Sequence, residues 1–187
     1  AQTSVLVVED ENIVSKDIQH SLKKLGYKVV GAAAKGEQAV QLALDNRPDI
    51  ILMDIMLKGE MNGIEAAEII RRQTNIPVIY LTAYADESTL SRAKITQPYG
   101  YIIKPFKEID IHTSIEMAIY KHKKEMEMQQ ERDLLFSIVE NKDAKDFIFV
   151  KSNSRLVKLK THDIYFVEAL KDYVVINTLN SRYTIHS

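Results

Sequence analysis

Five polar residues stand where apolar runs end. Glu9 and Asp10 follow Val5–Val8, Asp54 follows Ile50–Met53, Thr82 follows Val78–Leu81 and Lys104 follows Ile102–Ile103. Singly, each has an ordinary reading: an Asp or Thr after a strand caps a helix, and a Lys is solvated. Together they form an ordered series: an acid pair, an Asp, a Thr and a Lys-Pro. Three carboxylates cannot share a small pocket in ionised form without compensation. Lys104 offers one positive charge, and a hard divalent cation offers two more. Mg²⁺ is typically held by one or two carboxylates together with phosphate oxygens and water. No His/Cys cluster competes for a softer metal. A carboxylate placed among Mg²⁺, a Lys ammonium and a Thr hydroxyl can attack a phosphoryl group, because the cations neutralise charge on the transferring oxygens. The product would be an aspartyl phosphate.

Such convergence needs elements that end at one place. The chain up to about residue 122 alternates short apolar runs with helical spacing. Strands are read at Ser4–Val8, Lys28–Ala32, Asp49–Met53, Pro77–Leu81 and Tyr99–Ile103. Between them Ile13, Ile18, Leu22 and Leu25, then Ala39, Leu42 and Ala43, then Ile64, Ala67, Ile69 and Ile70 recur at helical spacing. Strands alternating with helices predict βαβ units and a parallel sheet covered on both faces. The expected fold class is therefore α/β, a doubly wound five-stranded parallel sheet. In such a sheet the carboxyl ends of the strands form the ligand crevice where strand order reverses.

Composition agrees with a soluble globular class. Of 187 residues, 25 are Lys or Arg and 26 are Asp or Glu, giving a net charge of −1. That balance exerts no global pull on nucleic acid or anionic lipid. The absence of Cys excludes a disulfide framework, thiol catalysis and a Cys-based zinc site. No apolar run approaches the ~18–20 residues of a membrane span. The opening Ala1-Gln2-Thr3-Ser4-Val5 lacks the basic and apolar segments of a signal peptide, so a cytoplasmic setting and no membrane partner are expected.

All six Gly and all four Pro lie at or before Pro105, which marks a change of character. Residues 109–139 hold no helix breaker and read as one helix. Its early positions Ile111, Ile115, Ala118 and Ile119 suit packing on the first domain. The expected division is 1–122, a helical linker over 123–146, and an all-β meander over 147–187 with strands at Phe147–Val150, Arg155–Lys160, Ile164–Ala169, Tyr173–Thr178 and Arg182–His186. Forty-odd residues are too few to bury a sizeable core alone.

The motifs Val5–Glu11, Leu52-Met53-Asp54-Ile55, Met61-Asn62-Gly63-Ile64, Leu81-Thr82-Ala83 and Tyr101-Ile102-Ile103-Lys104-Pro105-Phe106 together resemble the flavodoxin-like receiver domain of two-component response regulators. The resemblance covers about residues 3–122. It implies Asp54 as phospho-acceptor, a sensor histidine kinase as phosphodonor, and Mg²⁺ held by Glu9, Asp10, Asp54 and the backbone carbonyl of Met56. It implies phosphoryl contacts from Thr82 and Lys104, a switch pairing Thr82 with Tyr101, a cis Lys104–Pro105 bond, and a homodimer when phosphorylated. Catalysis is limited to phosphotransfer to and loss from Asp54; the chain is not otherwise expected to be an enzyme. Met56 and Tyr84, two residues after Asp54 and Thr82, would flank the path of a hydrolytic water and tune dephosphorylation.

Phe147–Leu159, Asp163-Ile164-Tyr165-Phe166-Val167-Glu168-Ala169 and Tyr173-Val174-Val175-Ile176 resemble the start of a LytTR DNA-binding domain. The resemblance implies DNA as a partner, read by loops between strands. Lys171 matches the first DNA-contacting loop, and the family's later basic segment is not among residues up to Ser187. The implied output is control of transcription. The rival outputs are phosphorylation-dependent protein binding and a phosphorelay step, neither involving DNA.

Overall fold

The computed structural model describes residues 1–83, 87–140, 147–170 and 173–186. Two compact units divide the chain, Ala1–Glu125 and Met126–Ser187. The first alternates β1 (Ser4–Val8), α1 (Asn12–Lys24), β2 (Lys28–Ala33), α2 (Gly36–Asn46), β3 (Ile50–Asp54), α3 (Gly63–Gln73), β4 (Val78–Thr82), α4 (Glu87–Ile95) and β5 (Gly100–Ile103), and takes in the start of α5 (Glu108–Glu140). All five strands are parallel, in the order β2-β1-β3-β4-β5.

Strand alternation divides the core in two. Val5, Val7, Ile50, Leu52, Ile79 and Leu81 face Ile18 and Leu22 of α1 and Ile111, Ile115 and Ala118 of α5. Leu6, Val8, Ile51, Met53 and Tyr80 face Ala39 and Ala43 of α2, Ile64, Ala67 and Ile70 of α3, and Ala93 of α4. Both faces of the central strands are therefore dry, which is why they read as unbroken apolar runs. Each large aliphatic side chain withdrawn from water contributes about 1.5–3 kcal/mol.

Two hydrogen-bonded groups fix α5 to this unit. The Tyr27 hydroxyl donates to Glu116 Oε1 at 2.6 Å and lies 2.9 Å from His112 Nδ1. Tyr99 repeats the arrangement, donating to Glu125 and lying 3.2 Å from His122 Nδ1. With each phenol proton given to a carboxylate, each imidazole Nδ1 is the donor to the phenol oxygen. Burial first, then the adjacent Glu, pushes both phenols well above the usual tyrosine range.

In the second unit, α5 continues to Glu140. It is followed by β6 (Phe147–Ser152), β7 (Arg155–Lys160), a 3₁₀ turn at Thr161–Asp163, β8 (Ile164–Leu170), β9 (Tyr173–Thr178) and β10 (Arg182–His186). The expected single meander is instead two sheets, an antiparallel β6–β7 hairpin and an antiparallel β10-β9-β8 sheet. The 3₁₀ turn between β7 and β8 interrupts their pairing. A small core of Val150, Leu159 and Ile176 joins the two sheets. Among the described residues, no helix is long and apolar enough to cross a membrane.

Candidate functional site

Strand order reverses at β1 and β3, so the chain departs in opposite directions from their carboxyl ends and leaves a crevice there. Glu9 and Asp10 follow β1, Asp54 ends β3, Thr82 ends β4 and Lys104 follows β5. The five residues spread over 95 sequence positions thus meet at one end of the sheet. Glu9, Asp54 and Thr82 are 2%, 5% and 2% exposed. One carboxylate oxygen from each of Glu9, Asp10 and Asp54 lies within 4.8 Å of the others.

Every acid is held. Lys104 Nζ bridges the two buried ones, donating to Glu9 Oε2 at 2.7 Å and to Asp54 Oδ2 at 2.9 Å. The backbone N–H of Met56 donates to Asp54 Oδ1 at 2.9 Å. Glu11 N–H donates to Glu9 Oε1 at 3.2 Å, and Lys58 N–H donates to Asp10 Oδ2 at 3.1 Å. Thr82 adds a backbone link, its carbonyl accepting from Lys104 N–H at 2.7 Å. The Lys104–Pro105 peptide bond is cis.

The electrostatics are unbalanced toward negative charge. Burial, reinforced by the hydrogen-bonded Asp54 carboxyl, pushes Glu9 from 4.5 up to about 7 even though Lys104 opposes the shift. Burial pulls Lys104 down, but its hydrogen bonds to Glu9 and Asp54 outweigh that and hold it above the usual lysine value. Three carboxylates face one ammonium. An all-oxygen donor set with an excess of negative charge fits a hard divalent cation.

Two cavities share Thr82. One, of about 330 Å³, is lined by Asp10, Asp54, Met56, Lys58, Thr89 and Lys104 with Thr82. The other, of about 540 Å³, lies between α4 and β5 and is lined by Leu90, Lys94, Tyr101 and Ile103 with Thr82. Tyr101 is 37% exposed, with its ring centroid 6.0 Å from that of Tyr80. Met56 is largely exposed at the mouth of the first cavity. Tyr84 and Lys171 lie outside the described residues.

Sequence reading missed two contributors, Lys58 and Thr89, and the steric role of a third, Gly63. Lys58 acts through its backbone, which no side-chain pattern announces. Thr89 lines the cavity from α4. Gly63 opens α3, where Asn62 caps the helix by accepting from Glu65 N–H at 2.9 Å. A Cβ at Gly63 would lie 1.9 Å from the Asp54 carbonyl oxygen. Gly63 N–H also donates to the Ile55 carbonyl at 3.0 Å, so α3 is seated directly on the end of β3.

Comparison with known proteins agrees with this geometry. The profile of the response regulator receiver domain matches residues 5–116. The chain is 35% identical over 115 residues to the transcriptional regulatory protein PdtaR of Mycobacterium tuberculosis, a match covering 62% of this chain and 56% of that protein. The chain thus spans about half the length of the first curated relatives it matches. It is 28% identical over 184 residues to the sensory transduction protein LytT of Bacillus anthracis, covering 97% of this chain and 72% of that one. This second match extends through the β-rich tail, consistent with a LytTR-type region there. Among solved structures, the receiver domain of sensor histidine kinase PA1611 from Pseudomonas aeruginosa carries a magnesium ion coordinated in its active-site cleft. It superposes with a TM-score of 0.59 at 34% identity, covering 64% of this chain and 98% of that domain. With its five-stranded parallel sheet, its acidic crevice and a profile match over more than half its length, the chain belongs to the response regulator receiver domain family.

Proposed function

We propose that Asp54 accepts a phosphoryl group from the phosphohistidine of a sensor histidine kinase and that the phosphorylated chain controls transcription. The observation that carries this reading is the bridge from Lys104 Nζ to both Glu9 and Asp54 beside Asp10. An Asp54 carboxylate oxygen attacks phosphorus, the P–N bond of the phosphohistidine breaks, and the departing imidazole takes up a proton. Glu9, Asp10 and Asp54, with the Met56 carbonyl, would hold Mg²⁺, which supplies charge neutralisation for the transferring oxygens. The Met56 N–H orients the Asp54 carboxylate, and Lys104 stands ready to pair with a phosphoryl oxygen. Thr82 donates its hydroxyl to another phosphoryl oxygen and moves toward Asp54. That movement opens room for Tyr101 to turn inward. Met56, at the mouth of the crevice, flanks the approach of a hydrolytic water.

We read residues 123–146 as the linker that carries this change to a LytTR-type DNA-binding region beginning at 147, where Lys171 would approach DNA. Alignment with LytT across 97% of the chain supports a transcriptional output. A second reading, output through phosphorylation-dependent protein binding as a homodimer or with another partner, draws on the exposed Tyr101 and Ile103 lining the α4–β5 cavity. Incubation with acetyl phosphate followed by intact-mass measurement tests the phosphoacceptor reading. One phosphate adduct is expected with Mg²⁺ and none with chelator or in Asp54→Asn. An adduct that forms equally with chelator overturns it.

A further inference from the structure

The loop after β3 carries a cation that no carboxylate engages. Leu57 is buried in the core and Gly59 turns the chain at a φ of 109°, so Lys58 stands between an anchored residue and a turn. The Lys58 N–H donates to Asp10 Oδ2 at 3.1 Å, which fixes its backbone beside the acidic crevice. Lys58 is exposed, and it lines the crevice together with Asp10, Asp54 and Thr82. Among the described residues that line it, the cations are Lys58 and Lys104. Lys104 is engaged by Glu9 and Asp54. No carboxylate among the described residues pairs with the Lys58 ammonium.

A phosphodonor is an anion, and the acids of the crevice repel it. Lys104 and a bound divalent cation would only balance Glu9, Asp10 and Asp54, and Glu11 adds a further carboxylate to the lining. Approach of like charge is slow, and a cation at the mouth of a cleft reverses the field locally. Resting on the role of Asp54 proposed above, we infer that Lys58 is a phosphodonor-binding residue. Its ammonium pairs with the phosphoryl oxygens of the incoming donor, and the crevice thereby selects small acyl phosphate dianions over donors of lower charge. The Lys58 backbone holds Asp10 while the Lys58 side chain draws in the substrate. In the transfer, an Asp54 carboxylate oxygen bonds to phosphorus as the P–O bond to the acyl group breaks. The acyl carboxylate leaves with the electron pair, and no proton moves.

Initial rates of Asp54 phosphorylation in the 187-residue chain, with acetyl phosphate and with phosphoramidate as donors, test this. At neutral pH the first donor is a dianion and the second a monoanion. Lys58→Gln keeps the N–H that holds Asp10 and removes the charge. It should raise the half-saturating acetyl phosphate concentration by about threefold to fivefold, the scale of one exposed ion pair, and that of phosphoramidate by less. The effect should fall on half-saturation rather than on the saturating rate or the Mg²⁺ requirement. Lys58→Arg should restore the wild-type preference, and Lys58→Glu should exceed Lys58→Gln in effect. Binding of methylphosphonate, an unreactive dianion followed through the amide shifts of Thr82 and Ala83, should weaken by a similar factor in Lys58→Gln. A wild-type chain that takes up no phosphate from either donor overturns the Asp54 reading and this proposal with it. With the wild type active, an unchanged half-saturation in Lys58→Gln, an equal shift for both donors, or an altered Mg²⁺ requirement overturns the proposal alone.

Discussion

A methyl group at position 63 would sit 1.9 Å from the Asp54 carbonyl oxygen, closer than any real Cβ contact. The obstacle is backbone, so β3 and α3 must separate to admit it. Overpacking of this kind costs about 1–3 kcal/mol. Gly63→Ala should therefore lower the denaturation midpoint and also slow phosphate uptake, because the displaced segment carries Asp54 itself. Gly36 provides the control. A Cβ there meets Met61 at 2.8–2.9 Å, away from the Asp54 backbone, so Gly36→Ala should destabilise with less loss of phosphorylation. Equal phosphorylation rates in Gly63→Ala and wild type would contradict the positioning role. The acids support a second expectation. A ligand that binds only the folded state raises stability with its concentration, so Mg²⁺ should raise the thermal midpoint of the wild type. Asp10→Asn should blunt that rise. An equal rise in both proteins would place the cation elsewhere. The polar residues at strand ends were legible because they interrupt strands that are otherwise apolar throughout. Gly63 was legible as part of a motif but not as a steric requirement, since the atom it must avoid belongs to another element.

At the scale of elements, the attachment of α5 is the feature that sequence could not reveal. The apolar positions Ile111, Ile115 and Ala118 were readable from helical spacing. The Tyr27–His112–Glu116 and Tyr99–His122–Glu125 groups were not, because they join residues up to 89 positions apart and have no local period. Removing either hydroxyl leaves polar partners short of one hydrogen bond. Tyr27→Phe and Tyr99→Phe should each cost about 0.5–1.5 kcal/mol in denaturant unfolding, and should add if the two groups act independently. The second group also carries a pH dependence. Burial, only partly opposed by Glu125, holds His122 below its ordinary value, with Tyr99 against its ring and Lys121 Nζ 5.6 Å from the Tyr99 ring centre. A depressed folded-state value means the unfolded chain binds the proton more readily. Its contribution is full above about pH 6.5 and is lost as pH falls through the lower folded value. His122→Gln should flatten this part of the stability profile, and a profile unchanged by that substitution would contradict the assignment. In the tail, each strand was readable, but the division into two sheets was not. That division depends on the 3₁₀ turn at Thr161–Asp163, whose residues are ordinary loop formers.

Across the whole molecule, the two units differ in how completely they bury themselves. The receiver unit has two dry layers, and its crevice residues are fixed by hydrogen bonds from neighbouring strand ends. The tail has four buried apolar residues among those described, Val150, Leu159, Val175 and Ile176, and its described basic residues are partly engaged. Lys151 pairs with Glu131, Arg182 lies 3.5 Å from Glu168, and Lys158 Nζ sits 4.0 Å from the Phe147 ring centre. Affinity for DNA arises largely from neutralised phosphates, so a side chain already engaged within the protein adds little to affinity or to its salt dependence. This 187-residue chain should accordingly bind a promoter fragment weakly and with a shallow salt slope. Fluorescence anisotropy at two salt concentrations checks this, and tight, sequence-selective binding would contradict it. The central claim, that the carboxylate bridged by Lys104 is the one that receives phosphate, is tested most directly by borohydride reduction of the acetyl-phosphate-treated protein followed by peptide mass analysis. The account predicts that position 54 alone is converted to homoserine, only when Mg²⁺ is present. Conversion at another carboxylate, or at position 54 in the presence of chelator, would contradict it.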